Sequence, residues 1–194
     1  WKAMADIELA DLLARCRAGD ELAWEAFVRR FQGRVYSIAF AYAGQADDAR
    51  ELAQDIFVRL FETRRKWADA PIFLPWLIRT ARNLSVDYLR RRGARTKATE
   101  SEIDDAAELA GAGLDPESQA IAGSRRSLVW RALRRLTTIN REVLVLREIQ
   151  GLSLEDVAGM LRIPIGTVKS RSNRARLELA QHVLSLEQAA GPEP

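Results

Sequence analysis

Ser153-Leu-Glu-Asp-Val-Ala-Gly-Met-Leu-Arg-Ile-Pro-Ile-Gly-Thr-Val-Lys-Ser-Arg-Ser-Asn-Arg-Ala-Arg-Leu-Glu-Leu179 reads as two helices joined by a tight turn. Ser153, with Asp156 at the third helical position, is a capping-box-like start for a short helix, Leu154 to Leu161. Arg162-Ile-Pro164 supplies the turn, and Pro164 suits the opening of a second helix, Ile165 to Leu179. At about 100° per residue the second helix separates cleanly. Val168, Ser172, Ala175 and Leu179 share one side and are expected in a core. Gly166, Thr167, Lys169, Ser170, Asn173 and Arg174 share the other, with Arg171 and Arg176 on the flanks.

That outer face has the chemistry of major-groove reading. Lys and Arg donate to guanine acceptors, Asn pairs with adenine, Ser and Thr adapt, and flanking arginines reach the phosphate backbones. A solvated polar face presents similar residues. The short first helix, the three-residue turn and the small residues Ala158, Gly159 and Gly166 favour DNA.

Working outward, 194 residues suit one ordinary domain or two small ones. A hydrophobic fraction of 47%, with 6 prolines and 11 glycines, excludes a disordered or collagen-like chain. One cysteine (Cys16) and one histidine (His182) exclude a disulfide scaffold, a Cys/His zinc site and a locally encoded Ser/His/Asp triad. No cofactor, metal or catalytic residue is expected. No apolar run approaches the ~20 residues of a membrane span, and the N-terminus lacks a signal-peptide plan. The expected compartment is the cytoplasm.

Charge is distributed in blocks. Residues 1–95 carry a net +4, residues 96–123 a net −6, and residues 124–187 a net +6. Basic blocks suit a polyanion partner, because each phosphate neutralised releases a counterion. Soluble Arg-rich helices would show the same balance. The middle block is acidic, poor in apolar residues and broken by Gly111-Ala-Gly113, which predicts a flexible linker. Hydrophobic spacing on both sides is helical, and no strand pattern occurs. The expectation is an all-α chain with small helical domains at 1–95 and 124–187, a flexible acidic linker at 96–123 and a tail at 188–194.

Three helices are expected in the first block. Leu22 to Ala43 buries Ala23, Phe27, Phe31 and Val35. Asp47 to Arg65 buries Ala49, Leu52, Ala53, Ile56, Phe57 and Leu60, leaving Asp48, Glu51, Asp55, Val58 and Glu62 as an outer stripe. Phe73 to Arg92 buries Leu74, Leu77, Ile78, Ala81, Leu84, Tyr88 and Leu89. Its outer side shows Trp76, Arg79, Arg82, Asn83, Val86, Asp87 and Arg90. Cations with an aromatic among them suit single-stranded DNA, where a ring stacks on an unpaired base for about 1–3 kcal/mol. Trp76 as a half-buried packing residue is equally consistent.

The segment Asn140 to Arg171, with its Gly166-Thr-Val-Lys-Ser-Arg171 run, resembles the fourth conserved region of bacterial sigma factors, above all the extracytoplasmic-function (ECF) group. Asp47 to Phe61 resembles region 2.2, and Phe73 to Arg92 resembles regions 2.3 and 2.4. The resemblance implies a sigma factor, not an enzyme, that binds core RNA polymerase through its β′ and β subunits and reads promoter DNA. Duplex at −35 would meet Thr167, Lys169, Ser170, Arg171, Asn173, Arg174 and Arg176. Melted −10 DNA would meet Trp76, Arg79, Arg82, Asn83, Arg90, Arg91 and Arg92, helped by the loop Lys66 to Pro71. Core polymerase would meet Asp48, Glu51, Gln54, Asp55 and Val58. An anti-sigma factor is a further implied partner, with the chain monomeric when free or in a 1:1 complex. Ser172 and Asn173 depart from the apolar and His or aromatic residues of many members, which bears on which −35 sequence is read. Two other readings stay open: a stand-alone LuxR-like regulator, and a sigma mimic that sequesters an anti-sigma factor.

Overall fold

The computed structural model describes residues 2–96 and 116–190. Its helices are α1 (Lys2–Ala18), α2 (Glu21–Ala43), α3 (Ala46–Glu62), α4 (Ala70–Thr96), α5 (Pro116–Arg135), α6 (Thr138–Leu144), α7 (Leu154–Leu161) and α8 (Ile165–Ala190). A 3₁₀ turn, Arg64–Lys66, follows α3, and a π turn, Val145–Ile149, extends α6. No strand occurs among the described residues, so the all-α expectation holds. The chain divides into two units, one built from α1–α4 and the other from α5–α8.

In the first unit α1, α3 and the first half of α2 each bury one apolar stripe, while residues Val35 to Tyr42 of α2 are all buried. Leu9, Leu13 and Cys16 line α1; Ala23, Phe27, Phe31 and Val35 line α2; Ala49, Leu52, Ile56 and Leu60 line α3. Cys16 is only 1% exposed, and burial pushes its thiol pKa up to about 11. Gly19, at φ +88°, ends α1 in a conformation that glycine adopts without a Cβ clash. Asp20 then starts α2, accepting a hydrogen bond from the Ala23 N–H at 3.1 Å and one from Arg15 Nε at 2.9 Å. Both hold its carboxyl below the usual range, the backbone bond more strongly. In α4, Phe73, Leu77, Ile78, Ala81 and Ser85 are buried, while Leu74, Leu84, Tyr88 and Leu89 are only half-buried.

An aromatic cluster organises this core. Phe27 stacks on Trp24 at 5.3 Å and on Trp67 at 4.6 Å, and meets Phe73 edge-on at 5.9 Å. The Trp67 indole N–H donates to the Leu60 carbonyl at 3.0 Å, so this buried ring leaves no orphan donor.

In the second unit α8 packs against α5, α6 and α7. Val168, Ser172 and Ala175 are buried on it, with Leu179 half-buried, as the helical wheel expects. The Ser172 hydroxyl, on a side chain in a residue 3% exposed, has no hydrogen-bond partner among the described residues.

Several boundaries differ from expectation. α3 stops at Glu62 because Arg64–Lys66 tightens into the 3₁₀ turn that delivers Trp67 to the core. α4 begins at Ala70 and accommodates Pro71 because the first turn of a helix has unpaired N–H groups in any case, whereas Pro75 lies inside the helix and forgoes the bond its N–H would make to the Pro71 carbonyl. α5 begins at Pro116, so residues 116–123, read as part of a flexible linker, are helical. Pro at a first helical position followed by Glu117 is a start signal that the acidic composition masked. α8 runs on to Ala190, into the segment read as tail. The remainder of the expected linker, 97–115, lies outside the described residues, as does 191–194.

The orphan hydroxyl gives a stability test. An unmade buried hydrogen bond costs about 1–3 kcal/mol, and Ala also has the better helix propensity. Ser172→Ala is expected to stabilise the second unit by about 1 kcal/mol in denaturant melts of the full chain followed by NMR signals of α8.

Candidate nucleic-acid interface

The α7–turn–α8 element is built by local capping. The Ser153 hydroxyl accepts from the Asp156 N–H at 3.0 Å, and the Asp156 carboxylate accepts from the Ser153 N–H at 3.2 Å. Arg162 ends α7 in the left-handed conformation, φ 56°, and the chain turns into α8 at Pro164. The Pro164 carbonyl accepts from the N–H groups of Thr167 and Val168 at 2.9 and 3.1 Å.

Beyond the buried line of α8, Lys169, Ser170, Asn173, Arg174 and Arg176 are exposed, and Thr167 and Arg171 are half-buried. The candidate −35 residues therefore share the face that packing leaves open. The Ser170 hydroxyl donates to the Thr167 carbonyl at 3.0 Å, leaving its oxygen as an acceptor. Arg174 Nε donates to Glu178 at 2.8 Å, and the other Glu178 oxygen accepts from Asn140 Nδ2 at 2.8 Å. The Arg174 bond first, and the Asn140 bond second, hold the Glu178 carboxyl below the usual glutamate range. Arg176 donates to Glu148 from Nε at 3.1 Å and from Nη2, and from Nη1 to Asn173 Oδ1 at 3.3 Å.

On α4, Arg79, Asn83 and Arg90 are exposed along one line. Trp76 is half-buried and leans on Phe73, with ring centroids 5.6 Å apart. Arg82 is half-buried, Arg91 is exposed, and Arg90 pairs with Asp87 at 3.6 Å. Arg92 behaves differently from its neighbours. Its guanidinium pairs with Asp48 of α3 and donates to the Tyr88 hydroxyl at 2.9 Å, and the Asp48 bond is the main reason its pKa is raised. Two residues assigned by sequence to different partners are thus joined to each other. The remaining α3 candidates, Glu51, Gln54, Asp55 and Val58, are exposed, Val58 at 59%.

The loop before α4 is braced from α1. Arg17 Nη2 donates to the carbonyls of Trp67 and Ala68, both at 3.0 Å, and reaches Asp69 at 3.3 Å. Trp67 itself is anchored beneath. Sequence reasoning missed Arg17, Asn140, Glu148 and Glu178. The i,i+4 spacing of Arg174 and Glu178 is a legible signal. The Arg17–Trp67 and Glu148–Arg176 contacts join distant segments and leave none.

Comparison with known families shows the family to which both segments belong. Residues 27–95 match the Sigma-70 region 2 family model, and residues 126–179 match that of Sigma-70, region 4, together more than half of the chain. The chain belongs to the sigma-70 family. It is a sigma factor, and its relatives include members of the ECF group that the motifs resemble. It is 29% identical over 170 residues to the RNA polymerase sigma-H factor of Pseudomonas aeruginosa, covering 85% of this chain and 88% of that one. The same figures hold for the ECF RNA polymerase sigma-E factor of Escherichia coli. Among solved structures, CnrH in complex with the cytosolic domain of CnrY is 25% identical, with a TM-score of 0.54 and coverage of 91% and 97%. The sigma factor RpoE of Bartonella quintana, in complex with the anti-sigma factor NepR, is 24% identical, with a TM-score of 0.59 and coverage of 83% and 98%. No helix among the described residues of this sigma factor is long and apolar enough to cross a membrane.

Two outcomes follow from these contacts. Because the folded Glu178 pKa is depressed, its pair contributes above the unfolded glutamate pKa of about 4.3 and is lost as pH falls through the folded value. Glu178→Gln is expected to remove that share of the acid destabilisation of the second unit, read from α8 NMR signals of the full chain. Arg17→Ala is expected to cost about 1–3 kcal/mol, most of it from the lost part-buried bonds to the Trp67 and Ala68 carbonyls, since Asp69 in the remaining pair is largely exposed. Amide exchange at residues 67–70 is also expected to quicken severalfold.

Proposed function

We propose that this sigma factor directs core RNA polymerase to promoters through two separate DNA contacts and one protein contact, without chemistry of its own. The observation that carries the reading is the order of surfaces in the chain. A region 2 match holds an acidic-apolar stripe and a basic, aromatic-bearing helix, and a region 4 match holds a helix-turn-helix with a polar outer face.

In this reading Glu51, Gln54, Asp55 and Val58 of α3 dock on the polymerase β′ subunit. Asp48 contributes indirectly, by its bond to Arg92 between α3 and α4. Trp76, Arg79, Arg82, Asn83, Arg90 and Arg91 receive the melted −10 strand. Cations follow its backbone, and the Trp76 ring offers a stacking surface worth about 1–3 kcal/mol per base. Unstacking a base costs a few kcal/mol, so one such surface helps to hold it out of the duplex. Thr167, Lys169, Ser170, Arg171, Asn173 and Arg174 read the −35 duplex. The domains are taken as 1–95 and 124–187, the second extended back along α5. Carrying both contacts on one polymerase raises effective concentration without any new contact, so each can be modest by itself. The site of action is the cytoplasm, and an anti-sigma factor is the proposed regulator. A stand-alone regulator would leave the whole region 2 surface without a task.

Run-off transcription with purified bacterial core polymerase on the native upstream region tests this. Specific initiation is expected only when the chain is added. It should fall at least tenfold with Lys169→Ala/Arg174→Ala and with Asp55→Ala. Core polymerase that neither binds the chain nor gains specificity from it would refute the reading.

A further inference from the structure

Glu148, Arg176 and Asn173 form one chain of hydrogen bonds on the outer side of the second unit. Arg176 gives Nε and Nη2 to one Glu148 oxygen and Nη1 to Asn173 Oδ1. A guanidinium only donates, so its amide partner must be the oxygen, and this fixes which way the Asn173 amide points. Glu148 comes from the π turn after α6, a different segment from α8, and so anchors Arg176 to the body of the unit. Asn173 and Arg176, three residues apart, are neighbours on the helix surface.

We propose that Arg176 and Glu148 are positioning residues that set the base preference of Asn173, and that Arg176 is not a phosphate contact. The proposal rests on the −35 reading above and gives Arg176, which the resemblance implied as a DNA contact, a different role. Arg176 commits Nε and Nη2 to Glu148 and Nη1 to Asn173, whereas Arg174 gives Glu178 only its Nε, so a phosphate contact by Arg176 would have to break a three-bond arrangement that one by Arg174 would not. Holding Asn173 Oδ1 instead leaves the Nδ2 hydrogens as the group offered to the groove. The Asn173 amide then prefers an acceptor edge, purine N7, guanine O6 or thymine O4, over the N4 donor of cytosine.

The test uses holoenzyme, the full chain with bacterial core polymerase, and a duplex promoter library randomised across the upstream element. Retained DNA is sequenced, and affinity for the best duplex is followed against salt. Asn173→Ala is expected to flatten the preference at one base pair by about tenfold. Arg176→Ala and Glu148→Ala should flatten the same pair with the salt slope unchanged. Glu148→Gln keeps an acceptor for Arg176 and should preserve the preference, and this comparison stands even if Arg176→Ala fails to fold. The proposal is overturned if Arg176→Ala keeps the preference while the slope of log affinity against log salt drops by about 0.9, the mark of one lost phosphate contact. It is also overturned if Glu148→Ala tightens binding without touching base preference. A wild-type holoenzyme with no upstream preference at all would instead overturn the −35 reading beneath it.

Discussion

Trp67 is where the first unit closes. Its ring lies on Phe27 at 4.6 Å, and its indole N–H takes the Leu60 carbonyl near the end of α3. A helix leaves its last carbonyls unpaired, so a side chain returning to one of them satisfies a polar group and ends the helix in a single step. Burial of a large aromatic also supplies more apolar area than any other residue of that connection. Together these fix where α3 stops, where α4 starts and how the intervening loop leaves the core. Arg17 then holds the loop carbonyls from the α1 side. The outer face of α4 inherits its direction from this arrangement.

The second unit uses charge in another way. Each of Arg174 and Arg176 has a carboxylate behind it, Glu178 and Glu148 respectively. Exposed pairs of this kind add only a few tenths of a kcal/mol to about 1 kcal/mol of stability. Their larger effect is on geometry, since long side chains otherwise sample many rotamers that a bound groove would have to freeze. A backing acid also trims net attraction to phosphate, a contribution that is blind to sequence. Contacts to base edges then decide a larger share of the binding. Arg92 and Asp48 show the structural variant of the pairing, where the bond spans two helices and the cation is given over to the fold.

How much of this was legible in the sequence depended on the range of the interaction. The cores of α2 and α3 and the inward line of α8 follow from 3.6-residue spacing, and Phe27, Ile56, Val168 and Ala175 are buried as that spacing demands. The Ser153–Asp156 capping box spans three residues and was equally readable. The start of α5 was misread because acidic composition outweighed a proline start signal, although Pro116 and Glu117 carry it. The sequence places Arg92 beside Arg90 and Arg91 and suggests one role for all three, without showing that Asp48, 44 residues away, faces Arg92. Arg17 and Glu148 were invisible for the same reason. Periodicity reports which side of a helix is inward, but only the folded backbone reports which polar groups meet.

The lone cysteine has a use that follows from where it sits. Cys16 is enclosed by the first unit, and burial holds its thiol in the protonated form at neutral pH. Alkylating reagents need the thiolate and access to it, so they wait for α1 to come away. The speed of such labelling is therefore a clock for transient opening of α1–α4, and it stays silent about α5–α8. A single natural side chain thus lets the dynamics of one half of the molecule be followed without marking the other.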